Sequence, residues 1–207
     1  MDDDDLRRNQ PSSHIKYGEA NAVLAGDALQ ALSYEIIVDD IFLSSDDKVN
    51  AINLLSKACG KNGMVFGQCL DIKNENNQNI DIQKLDDIHN LKTGKLIECA
   101  VMLGQTGSSL ESESLNTLRD FSSKIGLAFQ ITDDILDVTQ IESVLGKNKN
   151  SDAKNNKLTY IDIIGLDEAK VKVNKLTNSA LNSLSQSNIS NINKLVEMAK
   201  YLIDRES

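Results

Sequence analysis

The chain has 207 residues, enough for one sizeable core, and reads most simply as a single domain spanning 1–207. With 40% hydrophobic and 26% charged residues and a net charge of −9, it has the balance of a soluble globular protein whose acidic surface, without a basic stripe, excludes a nucleic-acid partner. No apolar run is long enough to span a bilayer, the start Met1-Asp2-Asp3-Asp4-Asp5-Leu6-Arg7-Arg8 is the opposite of a signal peptide, and Cys59, Cys69 and Cys99 lack CxxC spacing, so the sequence predicts a cytoplasmic protein with free thiols.

The single proline, Pro11, leaves the rest of the chain without an obligate helix breaker, and aromatics are scarce while Ala, Leu, Lys, Glu and Gln abound. The prediction is all-α. From Gly18 to about Leu43, apolar residues at Ala20, Val23, Leu24, Ala28, Ala31 and Leu32 predict one long helix, apolar over enough of its circumference to be buried. Ser45-Asp46-Asp47 offers cap chemistry for a helix over about Lys48 to Cys59. Gly60 and Gly63 precede a short apolar helix from Met64 to about Ile72, and the Asn-rich stretch from Lys73 to Asn79 reads as a surface loop. Ile82 to Leu103 is helical in period, with Thr93-Gly94 as a candidate kink. Glu113 to about Thr139 is a second long helix, followed by a Lys/Asn/Ser loop over Gly146 to Lys157. Amphipathic helices over Asp167 to Leu184 and Ile189 to Ile203 close the chain, and no segment shows a convincing period of two.

Chemistry concentrates in four places. In Phe129-Gln130-Ile131-Thr132-Asp133-Asp134-Ile135-Leu136-Asp137, the Asp133 and Asp137 carboxylates stand one helical turn apart, Asp134 flanks them, and Gln130 lies one turn earlier. Like charges at that spacing repel, and bound Mg²⁺ would relieve the repulsion, since it prefers a few carboxylates with phosphate oxygens and water. At the N-terminus, Asp2 to Asp5 with Arg7 and Arg8 read either as a solvated tail or as an acidic metal site beside two guanidinium forks suited to phosphate. In His89-Asn90-Leu91-Lys92-Thr93-Gly94-Lys95, a kink at Gly94 would turn Thr93 and a freed carbonyl into a cavity, whereas His89 reads as structural. Phe66-Gly67-Gln68 with Asp71 places small, polar and acidic residues on an apolar helix.

In this order the segments resemble the trans-polyprenyl diphosphate synthase family, nearest its bacterial farnesyl diphosphate synthases. Met1 to Arg8 resembles the tail of the family's first aspartate-rich motif, and Lys16-Tyr17-Gly18-Glu19-Ala20 through Leu29 the helix that follows it. Gly67-Gln68 with Asp71, Lys92-Thr93-Gly94, and Asp133-Asp134-Ile135-Leu136-Asp137 resemble the next signatures, and Leu145-Gly146-Lys147, Asp152 and Lys157-Leu158-Thr159-Tyr160 the region beyond. The resemblance implies an antiparallel helical bundle around a central cavity, lacking its N-terminal helices. It implies an Mg²⁺-dependent head-to-tail condensation of isopentenyl diphosphate with an allylic diphosphate, dimethylallyl or geranyl. It assigns metal binding to Asp2, Asp133, Asp134 and Asp137. Allylic diphosphate binding falls to Lys92 and Lys157, with Arg7, Arg8 and Lys147 also on the substrate. Thr93 and Gln130 are given to stabilising the allylic cation, and a homodimer is implied.

The chain departs from the family pattern at its start. The two leading aspartates of the first motif and the helices before it are absent, which leads to the expectation of a fragment, by gene truncation or by a misassigned start at Met1. Such a bundle should expose apolar surface on the Gly18 to Leu43 helix. The alternative is a non-catalytic partner of a complete homologue. A terpene cyclase, which also uses DDxxD, is disfavoured by Lys92-Thr93-Gly94 and Gly67-Gln68.

Overall fold

The structure is a computed structural model that describes residues 5–7, 10–77, 79–143 and 158–204. The fold is all-α: among the described residues the only strands are β1 (Leu6–Arg7) and β2 (Gln10–Pro11), an antiparallel pair with Leu6 opposite Pro11 and Arg7 opposite Gln10. The described residues divide into two compact units, one up to Asn53 and the other from Leu54 onward.

The first unit carries the β pair, α1 (Ser13–Tyr17), α2 (Glu19–Asp39) and the start of α3 (Ser45–Cys59). Gly18 separates α1 from α2 at φ +84°, a backbone setting that costs glycine nothing and other residues a Cβ clash. The long helix predicted to Leu43 stops at Asp39, because the Asp40 carboxylate accepts the Phe42 and Leu43 amides at 2.8 and 3.0 Å and turns the chain. Helix α3 starts three residues earlier than predicted. Ser44 is its cap: its hydroxyl accepts the Asp47 amide at 3.1 Å and donates to the Asp47 carboxylate at 2.6 Å. Although α2 is apolar around its circumference, none of its residues is buried.

The second unit is organised around α7 (Ser112–Ser143), a helix of 32 residues. Before it come α4 (Met64–Lys73), α5 (Ile82–His89), a π-helical turn (Asn90–Gly94) and α6 (Lys95–Leu103). After it come α8 (Tyr160–Ile164), α9 (Leu166–Ser185) and α10 (Asn193–Ile203). The continuous helix predicted over Ile82 to Leu103 is thus interrupted by one wide turn that ends on Gly94, the residue singled out as a kink. Asp81 caps α5 by accepting the Lys84 amide at 2.7 Å. Helix α8 was not anticipated. It is only five residues long, too short for periodicity to show, and it starts with a capping box in which Thr159 and Asp162 satisfy each other's backbone amides. Helix α10 begins later than the predicted Ile189.

Two apolar clusters hold this unit together. One joins Leu127, Ala128 and Ile131 of α7 to Leu85 of α5, Tyr160 of α8, and Ala169 and Val173 of α9. The other joins Leu118, Phe121 and Ile125 of α7 to Met102 of α6, Ala180 and Leu184 of α9, and Ala199 of α10. Each fully buried Leu, Ile or Phe side chain contributes about 1.5–3 kcal/mol relative to exposure. The successive inward positions of α7 therefore fix its rotation about its own axis, and with it the direction of every other side chain on that helix.

Candidate active site

The π turn is clamped from both sides by glycines. A Cβ on Gly67 of α4 would lie 2.2 Å from the Lys92 amide nitrogen, and one on Gly126 of α7 would lie 3.0 Å from the Gly94 Cα. Real Cβ atoms do not approach as closely as 2.2 Å, so α4 reaches the turn only because position 67 carries no side chain, and at 126 a side chain would force the turn to shift by a few tenths of an ångström. The wide turn that results carries Lys92 and Thr93 between the two helices.

There the side chains meet. The Lys92 ammonium lies 2.8 Å from Oδ2 of Asp71, with both side chains partly buried. The Thr93 hydroxyl donates to the Gln130 side-chain carbonyl at 2.8 Å, joining the turn to α7. On α7, Gln130, Asp133 and Asp137 follow at spacings of three and four residues and share one face. Asp133 and Asp137 are half-buried.

Asp134 is placed apart from them. One residue on from Asp133, it is rotated about 100° around the helix. It is 4% exposed, and its Oδ2 accepts the backbone amide of Tyr160 at 2.9 Å, at the start of α8. His89 Nε2 stands 3.9 Å from the same oxygen, and the His89 ring stacks on that of Tyr160 with centroids 5.5 Å apart. Burial, opposed by the Asp71 charge and reinforced by those of Lys92 and Lys172, pushes the His89 pKa down to about 3, so its ring is neutral. Lys172 of α9 completes the group: its ammonium bridges the Asp86 carboxylate at 3.0 Å and the Tyr160 hydroxyl at 3.3 Å, and it sits 4.6 Å from the Tyr160 ring centroid.

Of the residues singled out in the sequence, Lys92, Thr93, Gln130, Asp133 and Asp137 are therefore carried by the π turn and the facing stretch of α7. Asp2, Arg8, Lys147 and Lys157, with the loop over Gly146 to Lys157, lie outside the described residues; Arg7 is described only as backbone of β1. Asp86 and Lys172 were not found by sequence reasoning. They are 86 residues apart, and a lone acid and a lone base on amphipathic helices carry no local signal.

Among the described residues no three His, Cys, Asp or Glu side chains stand together as a metal cage. Two carboxylates one turn apart still fit Mg²⁺, which binds one or two protein carboxylates and completes its octahedron with phosphate oxygens and water. A cavity of about 520 Å³ lined by Ser109, Glu113, Ser183 and Asn188 holds none of these residues. It lies some twenty residues back along α7 from Asp133, about 30 Å along the helix axis. It takes no part in the site.

The chain is similar to known proteins over nearly its whole length. It is 41% identical over 210 residues to farnesyl diphosphate synthase of Escherichia coli (strain K12), covering 99% of this chain and 70% of that protein. It is 37% identical to the chloroplastic geranylgeranyl pyrophosphate synthase of Catharanthus roseus, covering 100% of this chain and 58% of that one. The fold superposes on a crystal structure of geranyltransferase from Helicobacter pylori complexed with magnesium and isoprenyl diphosphate, with a TM-score of 0.80 and 35% identity over 99% of this chain and 66% of that one. The chain thus spans between 58% and 70% of the length of these proteins. No described helix is long and apolar enough to cross a membrane. Residues 1–199 match the polyprenyl synthetase model, and the chain belongs to that family.

Proposed function

We propose that the chain serves the head-to-tail condensation of isopentenyl diphosphate with dimethylallyl or geranyl diphosphate, giving farnesyl diphosphate. The observation that carries the proposal is the meeting of the Lys92–Thr93 turn with Gln130 on the helix that also bears Asp133 and Asp137. A cation, two polar oxygens and two carboxylates are the set needed for an anionic leaving group and a cationic intermediate, and the Thr93–Gln130 hydrogen bond supports their acting together. The relatives, farnesyl and geranylgeranyl diphosphate synthases, support the same class of reaction. Residues 1–207 would act as one functional domain, the C-terminal portion of an isoprenoid synthase domain, in a cytoplasmic homodimer.

Asp133 and Asp137 would hold Mg²⁺, and Asp2 is proposed as a metal ligand from the motif resemblance alone. When bound, the metal neutralises diphosphate charge and makes the group a better leaving group. Lys92, held by Asp71 at 2.8 Å, would serve the diphosphate oxygens as an ammonium partner. The Thr93 hydroxyl is oriented by Gln130, so an oxygen lone pair rather than a hydrogen faces a developing allylic cation. Arg7, Arg8, Lys147 and Lys157 are assigned to the diphosphates as further cations.

The test is turnover of the 207-residue chain with Mg²⁺, isopentenyl diphosphate and geranyl diphosphate, with product length read by mass spectrometry. Prenyl diphosphate that disappears in Asp133→Ala supports the proposal. No product from the chain, or product unaffected by Asp133→Ala, overturns it. A second reading, a non-catalytic partner of a complete relative, is favoured by one observation: α2 is apolar yet has no buried residue, as a helix awaiting another chain would be. Activity gained only on mixing with a complete relative would support that reading.

A further inference from the structure

We propose that Asp134 is a positioning residue, not a metal ligand: its buried carboxylate clamps the first turn of α8 onto α7 and so keeps α7 and the π turn in register. The proposal rests on the prenyltransferase reading for what is positioned, but the clamp itself stands on geometry.

Asp134 Oδ2 accepts the Tyr160 amide at 2.9 Å, and the residue is 4% exposed. That amide is one of the orphan donors at the start of a helix. The Thr159 and Asp162 amides belong to the capping box, so for Tyr160 Asp134 supplies from another helix an acceptor that the box does not. The positive end of α8 also favours a carboxylate there, although a helix this short contributes little by its dipole alone.

Tyr160 passes the constraint on. It is 0% exposed, its ring stacks on His89, and His89 is the residue immediately before the π turn that carries Lys92 and Thr93. On its other side the Tyr160 hydroxyl and ring meet Lys172, which is tied to Asp86 of α5. One buried hydrogen bond thus links the helix bearing Asp133 and Asp137 to the turn bearing Lys92, through the Tyr160 ring. Rotation of α7 that brought Asp134 toward the Asp133 face would leave the Tyr160 amide buried without an acceptor and expose the carboxylate of Asp134 in exchange. The two roles compete for the same side chain, and the hydrogen bond fills one of them.

The two roles separate in the Asn variant, because a carboxamide oxygen accepts an amide N–H as well as a carboxylate does but is a poor ligand for a hard cation. The experiment uses ¹⁵N-labelled full chain as wild type, Asp133→Asn, Asp134→Asn and Asp134→Ala, with Asp134→Ser as a milder substitute should the Ala variant not fold. Two quantities are measured: hydrogen exchange at the Tyr160 amide, and Mn²⁺ affinity in the presence of inorganic pyrophosphate. Asp134→Asn is expected to keep the Tyr160 amide protected and Mn²⁺ affinity within about twofold of wild type, whereas Asp134→Ala or →Ser loses about tenfold or more of the protection. Asp133→Asn is expected to weaken Mn²⁺ by at least about tenfold with Tyr160 protection intact. The proposal is overturned if Asp134→Asn weakens Mn²⁺ as much as Asp133→Asn does, or if Tyr160 exchange is unchanged in Asp134→Ala and →Ser. Wild type that binds no Mn²⁺ would remove the metal from the reading of the site, and the Tyr160 amide would still decide the clamp.

Discussion

Thr93 and Gln130 are joined by a single hydrogen bond in which the hydroxyl is the donor. Replacing Thr93 with Val keeps the shape and removes that donor and its oxygen; under the proposed function kcat is expected to fall by about a hundredfold, whereas Thr93→Ser retains most activity. Steady-state turnover of the two variants, side by side, checks this. His89 sets a second expectation. Its pKa is about 3 in the folded chain against an ordinary 6.5, so the native state binds fewer protons than the unfolded state between those values. The resulting stability is complete above pH 6.5 and is lost as pH falls toward 3, at up to about 1.4 kcal/mol per pH unit. Both ring nitrogens are buried without a hydrogen-bond partner, so His89→Phe keeps the stacking on Tyr160 and removes the titration. Urea unfolding at pH 7 and at pH 4.5 should show a shallower loss of stability in His89→Phe than in wild type.

Among the elements, the π turn depends on what its neighbours lack. Gly67→Ala forces a Cβ against the Lys92 backbone at 2.2 Å, a position with no flexible side-chain end to yield, and is expected to cost about 3 kcal/mol or more. Gly126→Ala, at 3.0 Å from the Gly94 Cα, is expected to cost less, and the order of the two midpoints in urea unfolding checks the assignment. The position of the turn was legible because Thr93-Gly94 interrupts an otherwise unbroken helical period. Most helix spans were legible for the same reason, the apolar periodicity being strong in a chain nearly free of proline. Helix ends were less so: Asp40 and Ser44 decide the limits of α2 and α3 by side-chain hydrogen bonds that composition does not rank. The direction of Asp134 was hidden altogether. Its motif neighbours Asp133 and Asp137 have the same chemistry, and only the packing that fixes the rotation of α7 separates the three.

For the whole molecule, composition and surface point the same way. Val23, Leu24, Leu29 and Ile36 of α2 are each more than half exposed, as are Ile41 and Phe42 just after it. A surface of that kind on a chain of net charge −9 is expected to self-associate once salt screens the repulsion. Sedimentation at 50 mM and 500 mM salt should show a concentration-dependent rise in mass that is larger at high salt. Leu24→Lys with Ile36→Lys should abolish it without lowering the unfolding midpoint, since neither side chain is buried.

The burial of Tyr160 also gives the protein a built-in optical signal. The chain has no tryptophan and four tyrosines, so phenol emission is not drained to an indole. Tyr17 and Tyr201 stand largely in solvent, while Tyr160 is fully enclosed with an ammonium over its ring. An added quencher such as iodide will therefore silence the outer phenols first and leave a residual emission from Tyr160. That residue reports, without any label, on the junction where α7, α8 and α9 meet.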